Sequence, residues 1–348
     1  MERNNSIDFI KFFAILFVVA IHSSPFAYNT SVDNIINIFA RFAVPFFFMV
    51  SGYFLGKKLQ VVKNTNGYVR NSLFKNLKLY ISWITVFFFY DLSVRILEAI
   101  TAGEKLKNVI GQYLEVFFSL KILYYGTETG SYHLWFLIAL LWSILIVYVF
   151  VRLNKLSILL IASLLLSIVG VFGQSYSVIW EIPIDTRDTL FFGLFYTALG
   201  SFFAYHQHKL IWSNKIWLCL VGVFSAIQVV EGIVLVNYFN APLGDYYLST
   251  IPLCISLFAV ALKSKGVAEN NILAKIGKNS VGIYVMHPIF LSAAMILVEF
   301  LRIEYITDTL VWNILYTPAV LLISYICYML IQKNKAKFID YSTQIKSF

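Results

Sequence analysis

Long apolar runs separated by short polar connectors dominate the chain. They fall near residues 7–25, 34–55, 72–97, 132–152, 156–174, 188–206, 212–236, 247–263, 280–300 and 309–331. Each is long enough for a helix to cross a hydrocarbon core of about 30 Å. A span in lipid must satisfy its own backbone groups, so the pattern predicts an all-α polytopic transmembrane bundle of about ten spans within a single membrane domain over 1–348. The stretch 108–125 is also apolar but is interrupted by Glu115 and Lys121, which predicts an interfacial helix. A basic tail, 332–348, follows the last run.

Composition agrees with this pattern. Hydrophobic residues make up 59% of the 348 residues and charged ones only 13%, with a mean hydropathy of +0.77. That leaves too little polar surface to cover a soluble globule of this size. The net charge of +9 does not point to nucleic acid, because the basic residues lie in connectors between apolar runs. Nineteen of the 27 Lys and Arg residues fall on one set of alternating connectors and six on the other. By the positive-inside rule both termini are expected in the cytoplasm. The first run lacks a small-residue cleavage site and is expected to remain as the first helix. Cys219, Cys254 and Cys327 all sit in apolar runs, with no disulfide framework and no metal-ligand spacing.

Ionisable residues inside such runs are costly in lipid and point to function by default. Lys11 and His22, eleven residues apart, project from one face of the first run, separated by about 16 Å. Arg41 opens the second span, His133 and Trp135 the fourth, and Arg187 the sixth, all from outside in the expected topology. His287 lies two turns inside the ninth span, next to Pro288. His22, Arg41, His133 and Arg187 are expected to meet at a polar cavity near the outer leaflet. Plainer readings stand beside these: Lys11 snorkels or pairs with Asp8, His22 is an interfacial histidine, Arg41 and Arg187 anchor an interface, and Lys75 and Lys78 belong to the positive-inside signal.

The order of these residues resembles the acyltransferase-3 family of integral membrane acyltransferases. The resemblance rests on Asp8 with Lys11-x10-His22, on Arg41 to Tyr53, on Lys75-x-x-Lys78, on His133-Leu-Trp135 and on Tyr284-Val-Met-His287-Pro288. It implies O-acyl transfer from cytosolic acyl-CoA, acetyl-CoA in the simplest case, to a hydroxyl on an extracytoplasmic cell-envelope glycan or lipid-linked sugar. His22 would be the catalytic base and Lys11 its catalytic partner, standing where the family usually has arginine. Lysine lacks arginine's planar fork for phosphate or carboxylate. Arg41, His133, Trp135, Arg187 and His287 would bind substrate, and Lys75 and Lys78 the phosphates of coenzyme A. No metal is implied, and homodimerisation is left open.

The same segments, with TRDTLFFG and GKNSVGIYVMHP, look similar to the membrane half of glycopeptide-resistance serine racemases, a branch of the same superfamily. That likeness implies a module that binds or transports L-serine without acyl chemistry, with Arg41 or Arg187 as carboxylate clamp. A free-standing acyltransferase and a piece of a longer chain are both compatible with the length. A relative that kept the fold and lost activity is a third reading. No internal repeat is evident, which favours an enzyme over a transporter.

Overall fold

The structure is a computed structural model that describes residues 4–126, 132–207, 210–264 and 269–346; the side chains of Leu120 and of residues 336–346 are not described. Within these residues the chain forms thirteen α-helices and no strand. Seven segments are long and apolar enough to cross a membrane: Asn5–Ser23, Thr30–Leu59, Tyr132–Arg152, Leu156–Gly173, Asn214–Phe239, Ser280–Phe300 and Leu310–Lys335. The chain is an all-α membrane protein.

Its helices fall into two compact units, one built from 1–43 with 259–348 and the other from 44–258. The first unit contains α1 (Asn5–Ser23), α2 (Thr30–Ala40), α11 (Ile272–Lys278), α12 (Ser280–Phe300) and α13 (Leu310–Lys346). Asn4 caps α1 by accepting from the amides of Ser6 at 3.0 Å and Ile7 at 3.3 Å. Its amide nitrogen also donates to the Ala261 carbonyl at 3.1 Å, and the Ser6 hydroxyl donates to the Ser264 carbonyl. Short residues then let the helices close. A Cβ at Gly277 would fall 1.9 Å from the Asp8 carbonyl oxygen, and one at Gly282 would fall 2.2 Å from the Tyr328 ring. Thus α11 lies against the start of α1, and α12 lies antiparallel to α13.

The second unit contains α3 (Ala43–Leu59), α4 (Thr65–Ala102), α5 (Leu106–Phe117), α6 (Trp135–Arg152), α7 (Leu156–Gly170), α8 (Leu194–His206) and α9 (Asn214–Phe239). Helix α10 (Thr250–Lys263) carries the chain from this unit back to the first. The second apolar run does not form one continuous helix. It breaks at Arg41–Phe42 between α2 and α3, because Pro45, which has no N–H to give, belongs in the first turn of a new helix. Residues 108–125, where an interfacial helix is expected, hold most of α5 and a short 3-10 turn, Leu120–Leu123. Residues 332–346 continue α13 as helix, and 347–348 lie outside the described residues.

In the second unit α3 and α8 touch backbone to backbone. A Cβ at Gly52 would lie 2.0 Å from the Thr197 carbonyl oxygen, and one at Gly200 would lie 2.0 Å from that of Met49. The Ser201 hydroxyl donates to the Gly52 carbonyl at 2.8 Å across the same seam. Because backbone cannot yield as a side-chain tip can, Gly52→Ala is expected to cost about 3 kcal/mol. Thermal unfolding of the purified protein would show this as a clear loss of melting temperature, whereas Gly222→Ala, where a Cβ meets open space, should not lower it.

Candidate functional site

In the first unit, His22 in the last turn of α1 and His287 in α12 come together. Their rings stack with centroids 5.3 Å apart and planes inclined by 25°. His287 is fully buried, and His22 is half-buried. The local sequence around His287 explains how its ring is held. An α-helical N–H bonds the carbonyl four residues back, but Pro288 has none, so the Tyr284 carbonyl loses its regular partner. Nδ1 of His287 takes that carbonyl at 2.7 Å, with the Ile283 carbonyl at 3.3 Å. Both partners are acceptors, so Nδ1 carries the proton and the neutral ring keeps its lone pair on Nε2. The His-Pro dipeptide thus selects a tautomer.

Beside this pair the Ser23 hydroxyl is 2.6 Å from that of Thr317 on α13. One turn earlier on α13, Asn313 is 3% exposed, and its Nδ2 has no hydrogen-bond partner among the described residues. Lys11 does not reach the histidines. Its ammonium pairs with Asp8 at 3.3 Å near the opposite end of α1. Arg41, also in this unit, holds Asn37 through Nε at 2.9 Å and Nη2 at 2.5 Å.

The second unit gathers a different set. Arg187 lies over the Trp135 ring, 5.6 Å from its centroid, and Nη1 is 3.5 Å from the Asp245 carboxylate. The next residue, Asp188, caps a turn of π-helix, Thr189–Gly193, accepting from the Phe191 amide at 2.9 Å and from the Tyr124 hydroxyl at 2.8 Å. Burial, then donation to Asp188, pushes the Tyr124 pKa well up, so the phenol stays protonated. Such π turns recur at functional sites. Asp245 sits on the 241–249 loop, which Glu231 of α9 fastens by accepting from the amides of Leu248 at 2.8 Å and Ser249 at 3.0 Å and from the Tyr176 hydroxyl at 2.6 Å. His133 is buried against Phe87, ring centroids 4.8 Å apart. Lys75 and Lys78 are exposed on one face of α4.

The structure therefore unites His22 with His287, and Trp135 with Arg187. It separates Lys11 from His22 along α1. His22 and Arg41 belong to one unit, His133 and Arg187 to the other. Asp245, Tyr124, Ser23, Thr317 and Asn313 escaped the sequence reading. Only Asp188 carried a signal, as the acidic neighbour of Arg187 immediately before an apolar run.

Among known proteins, the Acyltransferase domain family, Acyl_transf_3, matches residues 4–329. The chain belongs to the acyltransferase-3 family. Several of its relatives carry racemase names. An "Amino-acid racemase" of Enterococcus faecalis is 28% identical over 312 residues, covering 83% of this chain and 41% of the relative. A "Serine/alanine racemase" of Enterococcus gallinarum is 27% identical over 352 residues, covering 95% of this chain and 47% of the relative. The chain spans less than half the length of these relatives. No solved structure matches.

Proposed function

We propose that this member of the acyltransferase-3 family moves an acyl group, acetyl in the simplest case, from cytosolic acyl-CoA to a hydroxyl of an extracytoplasmic cell-envelope acceptor. The observation that carries the reading is the stacked His22–His287 pair with its fixed tautomer, because transfer to an alcohol needs a base near neutral pH. His22 takes the acceptor's hydroxyl proton as the oxygen attacks the thioester carbonyl. The C–S bond then breaks, and the proton passes to the departing coenzyme A thiolate. His287 stacks on His22 and supports the ring as it becomes charged. Lys75 and Lys78 are assigned to the donor's phosphates, with both termini in the cytoplasm of a bacterial cell. The Asp8 partner of Lys11 favours a charge-balancing role for that lysine over direct catalysis.

A second reading is that the chain is the serine-binding membrane domain of a racemase system. The names of the relatives and the Arg187–Asp245 pair over Trp135 favour it, since an amino-acid carboxylate can replace Asp245 on the guanidinium. Protein in nanodiscs separates the two. The acyltransferase reading expects acetyl-CoA turnover that requires His22. The carrier reading expects no turnover and L-serine binding that weakens at least tenfold in Arg187→Ala.

A further inference from the structure

A serine or threonine hydroxyl inside a helix commonly donates to a carbonyl three or four residues back in the same helix. Ser51, Thr85, Ser93, Thr197, Ser256 and Ser324 all do so, each to the carbonyl four residues back at 2.7–2.8 Å. Thr317 on α13 departs from this habit where the local invitation is strongest. Pro318, the next residue, has no N–H, so the Ile314 carbonyl, three residues before Thr317, loses its regular partner. His287 uses the equivalent carbonyl on α12, the one that Pro288 leaves open. The Thr317 hydroxyl instead crosses to α1 and meets that of Ser23 at 2.6 Å.

The direction of that bond follows from its far end. The Ser23 hydroxyl is 3.3 Å from the Ala20 carbonyl, which can only accept. Ser23 therefore donates to Ala20, and Thr317 donates to Ser23. The Ala20 carbonyl also accepts from the Ser24 amide at 3.1 Å, the bond that closes α1 where Ser24 turns left-handed at a φ of 39°. A chain of hydrogen bonds thus runs from α13 into the last turn of α1, and His22 sits in that turn. Water is kept from both ends of the chain, with Thr317 5% and Ala20 7% exposed. Helix ends fray because their last carbonyls lack partners within the helix. A catalytic group displaced by about 1 Å can lose about 100-fold in rate, so a base carried on a helix end needs such a tie. We propose that Thr317 is a positioning residue for His22: its hydroxyl, acting through Ser23 on the Ala20 carbonyl, fixes the last turn of α1 and keeps the His22 ring on His287. The proposal rests on the acyltransferase reading for what His22 does, but not for how its ring is held.

The test pairs Thr317→Val, which keeps the side-chain shape and removes the hydroxyl, with Thr317→Ser, which restores it, and with Ser23→Ala at the other end of the bond. In nanodiscs, Thr317→Val and Ser23→Ala should each lower kcat for acetyl-CoA by about tenfold or more and leave KM unchanged. The double variant should fall no further than either single one, because both remove the same link. Thr317→Ser should recover most of the rate. Nitrogen-15 spectra of histidine-labelled protein, with His22→Ala to assign the signals, should show those of His22 displaced in Thr317→Val and returned in Thr317→Ser. A hydroxyl that served stability alone would lower the melting temperature without moving them. Ser324→Ala, which removes a buried hydroxyl of α13 that bonds back within its own helix, should leave turnover and spectra as in wild type. Unmoved His22 signals in Thr317→Val, losses that multiply in the double variant, or an equal loss in Ser324→Ala would overturn the proposal. If wild type itself turns over no acetyl-CoA, the acyltransferase reading fails, and the His22 signals alone decide whether Thr317 sets the ring.

Discussion

His22→Ala is expected to lower acetyl-CoA turnover by about 10²–10⁴-fold, the usual contribution of a positioned general base. His287→Asn should lower it by a comparable factor, and the double variant should fall little below either single one. Asparagine is the informative choice at 287, because its side-chain amide can still donate to the Tyr284 carbonyl while nothing replaces Nε2. Helix geometry is thus retained, and only the second imidazole nitrogen is lost. Groups that act as one unit give grossly non-additive losses, since removing either one already disables the step. The stacked geometry, with centroids 5.3 Å apart, makes this the expected pattern. Turnover losses that multiply would show that the rings work independently, and an unaffected His287→Asn would confine the chemistry to His22.

Much of the architecture was legible because lipid permits few solutions. A run such as 132–152, almost wholly apolar, has to be a helix, and α6 covers Trp135–Arg152. The Asp8–Lys11 pair could also be read, because residues three apart on a helix are neighbours. The sequence says less where local signals compete. The 34–55 run reads as one span by hydropathy, yet a single proline three residues into a new helix resets the chain at Arg41–Phe42. The 247–263 run begins its helix only at Thr250, because Glu231 binds the amides of Leu248 and Ser249 and draws the preceding residues into a loop.

The pairings at the candidate sites were beyond sequence reasoning for a different reason. His22 and His287 meet only because α1 and α12 run side by side, with Gly277 of α11 closed on the Asp8 carbonyl of α1 and Gly282 of α12 closed on Tyr328 of α13. Neither glycine differs in sequence from those that meet open space, such as Gly111 and Gly222. Likewise Asp245, which neutralises Arg187, lies far along the chain on a loop whose placement depends on α9. Desolvated charge demands a partner. The sequence could say that Arg187 needed one but not which residue it would be.

Pro288→Ala offers the sharpest separation of chemistry from stability, because the two should move in opposite directions. Proline inside a helix costs about 3 kcal/mol relative to alanine, so the variant is expected to be as stable as wild type or more so. The alanine, however, brings back an N–H aimed at the Tyr284 carbonyl. That carbonyl is now the closest acceptor of His287 Nδ1, at 2.7 Å, with only the Ile283 carbonyl at 3.3 Å in reserve. Competition for it should release the ring, admit the tautomer with the proton on Nε2 and lower turnover by about tenfold or more, since a wrongly protonated imidazole is a poor partner in proton transfer. Nitrogen-15 spectra of histidine-labelled protein would report the tautomer directly, alongside melting temperature and acetyl-CoA turnover. A stable variant with a mixed tautomer and depressed turnover is the expected result. A stable variant whose tautomer and turnover are both unchanged would mean that the stack on His22, rather than the missing N–H of Pro288, holds the His287 ring in place.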